Sequence, residues 1–135
     1  MQILLDTNVV LDFFLKRHPF HSDAKEIFTS AALKKITIFV SSITPINVFY
    51  VIRKEKGKDI AFQTVEELLK LVEIARSDNR IFQNALSLNF KDYEDAVQCA
   101  CAIAENLDAI VTRDTKDFAN SPIQIYSPTE FLKQI

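Results

Sequence analysis

The sequence predicts a three-layer α/β sandwich, in which a mainly parallel sheet of about five strands lies between two layers of helices. Short apolar runs rich in β-branched residues recur along the chain, and most segments between them are long enough to form crossover helices. Apolar residues make up 48% of the 135 residues and include 11 Phe, which is enough to fill one core. No linker, repeat or low-complexity stretch divides the chain, so we expect a single domain over residues 1–135.

Five runs carry the strand pattern, and in chain order they are QILLD, ITIFV, LVEIA, DAIVT and QIYS. Each is short, apolar and rich in β-branched residues, which favour a pleated and partly buried backbone. Because helices connect most of these runs, we expect parallel strands joined by right-handed crossovers.

Two helices are predicted between the first two strands, over TNVVLDFFLKR and HSDAKEIFTSAALKK, with a break at Pro19. Apolar residues recur in the second of them at a spacing of three to four, as on the buried face of a helix. After the second strand we expect a helix that is capped by Ser41, Ser42 or Thr44 and ends at Gly57, the only glycine of the chain.

Three further helices are predicted between the third helix and the C-terminal one. KDIAFQTVEELLK forms one, Ser77 is expected to cap the next over DNRIFQNALSL, and Asp92 is expected to cap YEDAVQCACAIAEN. The chain ends in SPTEFLKQI, which has Ser, Pro and Glu in the order of a capping box and therefore predicts one more short helix.

Composition limits the classes of function. A formal net charge of -2 gives no overall field that would attract nucleic acid, so a polyanion would have to be held locally. The segment RKEKGK offers such a patch through Arg53 and Lys54, although a solvated helix end is the alternative.

There is no long uncharged apolar run, and an acid already stands at position 6, so we expect a cytoplasmic protein without a membrane partner. Cys99 and Cys101 point to different faces of one helix and are expected to be buried apolar residues.

Acidic residues gather where the predicted strands end. Asp6 ends the first strand, Asp114 follows the fourth, and Asp117 lies one turn further on. Ligands of open parallel sheets bind beyond the carboxyl ends of the strands, so these acids are expected at one edge. Asp92 and Asp95 begin the helix before the fourth strand, which we expect to start at the opposite edge, so the topology leaves their position relative to Asp6 open.

Carboxylates held close together repel one another unless a cation neutralises them. Oxygen ligands without His or Cys suit Mg²⁺ or Mn²⁺, which can activate water against a phosphodiester. Each acid also has a purely structural alternative. Asp6, Asp92, Asp114 and Asp117 are each suited to capping a helix or a turn, and Asp95 to completing the cap made by Asp92.

Three segments together resemble the PIN domain family: LLDTNVVLD at the N-terminus, DYEDAVQCACA in the last third, and IVTRDTKDF after it. They occur in the order of that family and cover essentially the whole chain. The resemblance implies a fold similar to that of the 5′-nucleases. It also implies a metal-dependent ribonuclease of the kind found in VapC-like toxins of bacterial toxin–antitoxin pairs.

The resemblance assigns roles to individual residues. The implied metal ligands are all carboxylates, the first three of them catalytic and the last a ligand or neighbouring acid: Asp6, Asp95, Asp114 and Asp117. Asn8 would orient Asp6, and Thr112 would support the site by hydrogen bonding. Arg113 and Lys116 either contact the RNA phosphates or pair with neighbouring acids.

One departure from the family pattern affects catalysis. The family usually has a glutamate in the helix after the second strand, whereas SSITPINVFYVIRK contains no acid and offers Asn47 at the matching position. An amide oxygen can ligate a hard cation but brings no charge, so the metal would be held more weakly. A catalytically degenerate PIN domain that binds RNA or acts as a scaffold is therefore an alternative.

The predicted function is that of an endoribonuclease that uses Mg²⁺ or Mn²⁺ to hydrolyse RNA. The expected partners are RNA, an antitoxin protein that covers the acidic pocket, and a second copy of the chain in a homodimer or larger assembly. A receiver-type phosphoryl-transfer domain is a weaker alternative, because Arg113 stands where such a domain would have lysine after a late strand.

Overall fold

The computed structural model describes residues 1–135, and it confirms the predicted α/β sandwich. The strands are β1 (Gln2–Leu5), β2 (Thr37–Val40), β3 (Glu73–Ile74), β4 (Ala109–Val111) and β5 (Gln124–Tyr126). The helices are α1 (Thr7–Phe14), α2 (His21–Ala32), α3 (Thr44–Lys56), α4 (Lys58–Leu71), α5 (Asn79–Leu86), α6 (Tyr93–Ala104) and α7 (Pro128–Leu132). A 3₁₀ turn, Thr115–Phe118, follows β4. None of the helices is long and apolar enough to cross a bilayer.

The five strands form one parallel sheet in the order β3-β2-β1-β4-β5. β1 is central, and its Leu4 lies opposite Phe39 of β2 and Ile110 of β4. All five strands point the same way, so the residues that follow them gather at one carboxyl edge. Strand β3 is the weakest of the predicted runs, with only two paired residues, both of them exposed.

Alternating residues of the central strands divide the core between the two faces of the sheet. Ile3 and Leu5 pack with residues of α1 to α4 and α7, whereas Leu4 and Ile110 pack with α5 and α6. Cys99 and Cys101 are both fully buried in the second of these clusters, as predicted. Helices α3 and α6 therefore lie on opposite faces of the sheet.

The predicted break at Pro19 and the helix stop at Gly57 are both present. Helix α1 ends at Phe14 and α2 begins at His21, on either side of Pro19. Gly57 has a φ of 92°, in the left-handed region that side chains other than glycine rarely adopt. The predicted cap of α3 is wrong, because its N-cap residue is Ile43 and no side chain accepts there. The Thr44 hydroxyl instead lies 2.8 Å from that of Thr7, which ties α3 to α1.

The N-cap of α5 also differs from the prediction. Asp78, rather than Ser77, accepts a hydrogen bond from the backbone N–H of Ile81 at 3.0 Å. The caps predicted for the other two helices are confirmed: Asp92 caps α6, and Ser127 forms a capping box with Glu130 in α7.

Replacing Asp78 with Ala is expected to lower the free energy of unfolding by about 1 kcal/mol, because it leaves a backbone donor of α5 without its acceptor. The neighbouring change Ser77→Ala serves as the control and is expected to alter stability by less than about 0.5 kcal/mol. Urea unfolding of both variants measures the difference. Equal losses would contradict the assignment of the cap to Asp78.

Candidate active site

Asp6 stands at the centre of the carboxyl edge, directly after β1. Its backbone N–H donates to the carbonyl of Val111 at 3.0 Å, which fixes the residue beside the end of β4. The carboxylate is only 6% exposed and is held at both oxygens. Gln98 Nε2 donates to Oδ1 at 3.0 Å, and Thr112 Oγ1 donates to Oδ2 at 2.7 Å. The side chain makes no N-cap hydrogen bond to α1.

Burial raises the pKa of Asp6 above its ordinary value, and the charge of Asp114 raises it slightly further. The hydrogen bonds from Thr112 and Gln98 oppose this shift because they favour the carboxylate. Gln98 is itself buried, and its Oε1 has no protein partner. Leaving a buried carbonyl unpaired costs free energy, and the bond from Nε2 to Asp6 opposes that cost.

Helix α6 starts at the carboxyl edge, which corrects the expectation that it starts at the opposite one. Gln98 in its second turn reaches Asp6 beyond β1, whereas Asp108, just after the helix, accepts from the backbone N–H of Gln2 at the other end of β1. A crossover helix runs antiparallel to the strands that it joins and so begins where the preceding strand ends. This direction brings the first turn of α6, with Asp95, to Asp6.

Asp95 combines partial burial with a concentration of negative charge. Burial is the largest cause that raises its pKa to about 7, and the charges of Asp6, Asp92, Asp117 and Glu94 add to it. Asp92 accepts a hydrogen bond from the backbone N–H of Asp95 at 3.0 Å and is therefore the cap of α6. The Asp95 carboxylate is not used in this cap. Without a cation, this carboxyl is therefore only partly ionised near neutral pH.

Glu94 is an acid of this edge that sequence reasoning missed. Asn47 Nδ2, from α3 on the other face of the sheet, donates to Glu94 Oε1 at 2.9 Å. Burial raises the pKa of Glu94, the charges of Asp6 and Asp92 add to the shift, and the bond from Asn47 opposes it. The signal was available in YEDA, because an acid next to Asp95 shares the same first helical turn.

The loop after β4 places Asp114 beside α1. Its carboxylate is exposed, and Oδ2 accepts from Asn8 Nδ2 at 2.9 Å. Its backbone N–H donates to Thr112 Oγ1 at 3.0 Å, so Thr112 connects Asp114 with Asp6. The expectation that Asn8 orients Asp6 differs from this arrangement, since Asn8 contacts Asp114 instead. Asp117 is exposed in the 3₁₀ turn that follows, and neither acid caps that turn through its side chain.

Arg113 is engaged in an ion pair and does not face the acidic edge. Its Nε donates to Asp12 Oδ2 at 2.7 Å and its Nη2 to Oδ1 at 3.3 Å. The guanidinium also lies 4.0 Å from the centre of the Phe20 ring. Asp12 is only 1% exposed and also lies 4.0 Å from Arg17. Of the two roles considered for Arg113, the structure therefore favours pairing.

The remaining basic residues differ in their distance from the acids. Arg53 and Lys54 are exposed in the last turn of α3, about 9 Å or more along the helix axis from Asn47, and are not brought to the site. Lys116 instead lines a cleft of about 760 Å³ that opens beside the acids. The polar and charged residues that line it are Asn89, Lys91, Asp92, Asp95, Lys116, Asp117 and Asn120. Lys91 is a second cation of the cleft that sequence reasoning missed.

The donor chemistry of this edge fits a hard divalent cation. Asp6, Glu94 and Asp95 bring carboxylate oxygens from two elements, and the charge of Asp6 adds to the burial that raises the pKa of Glu94 and of Asp95. As placed, no three acidic, His or Cys side chains converge closely enough to hold an ion. Direct coordination therefore requires carboxylate side chains to turn toward one another, and a bound cation would remove the repulsion that opposes this.

In the metal-free protein, replacing Asp95 with Asn is expected to become more stabilising as pH rises from about 4 to about 8. The folded wild type binds a proton at Asp95 with a pKa of about 7, against an ordinary value of 3.8, and loses this contribution as pH rises through that range. Urea unfolding in EDTA at several pH values measures the difference between variant and wild type. Asp59→Asn on α4 is the control, and a difference for Asp95→Asn that is independent of pH would contradict the argument.

A parallel sheet with buried and half-buried acids at its carboxyl edge defines a class of small α/β domains that bind their ligand at that edge. Within this class, the chain belongs to the PIN domain family, whose model matches residues 2–116. The predicted resemblance is thereby confirmed. Family membership implies the use of a divalent metal.

Three relatives show how far the likeness extends. The chain is 27% identical to Ribonuclease VapC1 of Aquifex aeolicus (strain VF5) over 138 residues, covering 98% of this chain and 94% of that protein. A toxin–antitoxin complex from Klebsiella pneumoniae contains a chain that is 27% identical, with a TM-score of 0.71 and coverage of 93% of this chain and 97% of that one. VapBC2 from Rickettsia felis, bound to a DNA fragment from its promoter, is 22% identical, with a TM-score of 0.71 and coverage of 94% and 98%.

Proposed function

We propose that the protein is a metal-dependent endoribonuclease that hydrolyses RNA phosphodiesters and acts as the toxin of a toxin–antitoxin pair. The observation that carries this proposal is that Asp6, Asp95 and Asp114 all lie at the carboxyl edge of a PIN domain sheet, where Asp95 also lines an open cleft. The likeness to Ribonuclease VapC1 over nearly the whole chain supports it. We propose that it acts in the cytoplasm, where cellular RNA is found.

The acids would contribute differently to the binding of Mg²⁺ or Mn²⁺. Asp6 is the fixed member, because Gln98 and Thr112 hold both of its oxygens in one orientation. Asp95 and Asp114 approach from α6 and from the loop after β4, with Asp117 nearby as a further ligand or neighbouring acid. The bound ion would supply an activated water and positive charge at the phosphate.

The cleft supplies the contacts with the nucleic acid. Lys116 and Lys91 line it beside Asp95 and Asp117, so a phosphate attracted by the ammonium groups would lie next to the acidic edge. The overall net charge of -2 makes such local contacts necessary. The cleft is open and polar, which suits a flexible strand better than an enclosed small molecule.

The second candidate is an RNA-binding or scaffold module without turnover, and Asn47 is the observation that favours it. Asn47 occupies the place of the usual family glutamate and supplies no charge. A module of this kind would bind RNA with a salt-dependent affinity but would leave it intact.

An antitoxin and a second copy of the chain are the protein partners that we propose. The Klebsiella and Rickettsia relatives are parts of toxin–antitoxin assemblies. Tyr50 is an exposed aromatic residue, with 61% of its surface accessible, whereas Phe13, Phe14 and Phe49 are half-buried against the core. Ile46 and Phe62, also on α3 and α4, extend the exposed apolar surface around Tyr50.

The proposal is tested by incubating the purified protein with a mixture of structured and single-stranded RNAs in Mn²⁺, in Mg²⁺, and in EDTA. We expect internal cleavage in the presence of the metal ions and none in EDTA, with cleavage positions mapped by primer extension. Salt-dependent RNA binding without cleavage under either metal ion would contradict the enzyme and favour the scaffold.

A further inference from the structure

We propose that Glu94 replaces the missing family glutamate, so that the acid has moved from α3 to α6 and Asn47 has become the residue that positions it. This inference rests on the proposed function, because it concerns the same metal site. It turns Asn47 from a sign of lost catalysis into one half of a relocated pair.

The contact between Asn47 and Glu94 spans the carboxyl edge of the sheet. Helix α3 packs on one face through Val48 and Ile52, and α6 packs on the other through Val97. Two helices on opposite faces can touch only beyond the ends of the strands. The 2.9 Å hydrogen bond therefore brings a carboxylate oxygen of α6 to the end of the position 47 side chain, where a glutamate on α3 would have placed its own.

The lengths of the side chains agree with such an exchange. Glutamate has one methylene group more than asparagine, which adds about 1.5 Å to its reach. A carboxylate at position 47 would then occupy the space in which Glu94 Oε1 already lies. Two carboxylates at this point would compete for the same space and repel each other, so the neutral amide at position 47 complements the acid at position 94.

Glu94 and Asp95 both lie near enough to Asp6 for its charge to raise their pKa values. They are consecutive in the first turn of α6 and therefore point about 100° apart around the helix. Glu94 contacts Asn47, whereas Asp95 lines the cleft together with Asp117. Both are half-buried and neither forms an ion pair with a basic residue. A purely structural alternative is that Glu94 stabilises the N-terminus of α6 through its charge. An exposed acid would do the same without a hydrogen bond from Asn47.

The test is calorimetric titration of Mn²⁺ into the full chain, since this reads out the site without RNA turnover. Four proteins are compared with the wild type: Glu94→Gln, Asn47→Glu, the double variant Asn47→Glu with Glu94→Gln, and the control Glu26→Gln, an exposed acid on α2. We expect Glu94→Gln to weaken Mn²⁺ binding by about tenfold or more. The double variant should recover most of the loss, whereas Asn47→Glu alone should not bind more tightly than the wild type. Thermal unfolding in EDTA establishes that each variant is folded.

The outcomes separate this inference from the proposed function. If the wild type binds Mn²⁺ and Glu94→Gln binds it equally well, Glu94 is not a member of the site and only this inference fails. Tighter binding by Asn47→Glu alone, with Glu94 still in place, would likewise overturn it, because the usual position would then be vacant. If the wild type binds no Mn²⁺ and cleaves no RNA, the proposed function fails and this inference fails with it.

Discussion

Replacing Asp6 with Asn is expected to abolish cleavage of RNA in Mn²⁺ or Mg²⁺, with a loss of about 10²-fold or more, and to weaken metal binding in parallel. The change is isosteric, but it removes the one carboxylate that hydrogen bonds fix at the centre of the carboxyl edge. Burial of the charge raises the pKa of Asp6, so the neutral amide relieves a cost in the metal-free fold. We therefore expect little loss of stability in EDTA.

Three measurements check this result: the rate of RNA cleavage, calorimetric titration of Mn²⁺, and thermal unfolding in EDTA. Asp59→Asn makes the same chemical change at an exposed position on α4 and should leave all three as in the wild type. Cleavage by Asp6→Asn at the wild-type rate would show that the activity belongs to another site or to a contaminating nuclease.

The second large effect concerns the ion pair between Arg113, in the loop after β4, and Asp12 of α1. Arg113→Ala is expected to lower the free energy of unfolding by about 3 kcal/mol, because it leaves the buried Asp12 carboxylate with only the distant Arg17. Asp12→Asn should cost less, since Arg113 is 25% exposed and can turn its guanidinium to water. The loss should also weaken Mn²⁺ binding, because the same loop carries Asp114.

Urea unfolding measures the loss in free energy of unfolding for three variants: Arg113→Ala, Asp12→Asn and the control Lys116→Ala. Lys116 lies in the same segment but is exposed, so its replacement should change stability by less than about 0.5 kcal/mol. A loss for Arg113→Ala no larger than that of the control would mean that the buried acid is not held by the pair.

Local patterns predicted the elements of this fold well. Every predicted strand run contains a strand, and the break at Pro19 and the stop at Gly57 depend on backbone limits that those residues carry with them. The errors occurred where several residues could serve equally well. Ser77 and Asp78 are both good caps, and the choice between them depends on which backbone N–H each can reach in the folded chain.

The site was predicted less completely, because its contacts join distant parts of the chain. Asp6 and Asp114 could be placed from the ends of their strands, but the role of Gln98, which is uncharged, became visible only once the direction of α6 was known. The pairing of Asp12 with Arg113 spans 101 residues and has no local signature. The metal-binding roles assigned to the acids, and the single domain over residues 1–135, stay predictions.

The two outermost strands of the sheet are short, and this affects the tendency of the protein to aggregate. Strand β3 has two paired residues and β5 has three, so each border of the sheet offers few free backbone groups to another chain. Long, regular borders recruit further strands and lead to aggregation. We therefore expect aggregation through the borders of this sheet to be disfavoured.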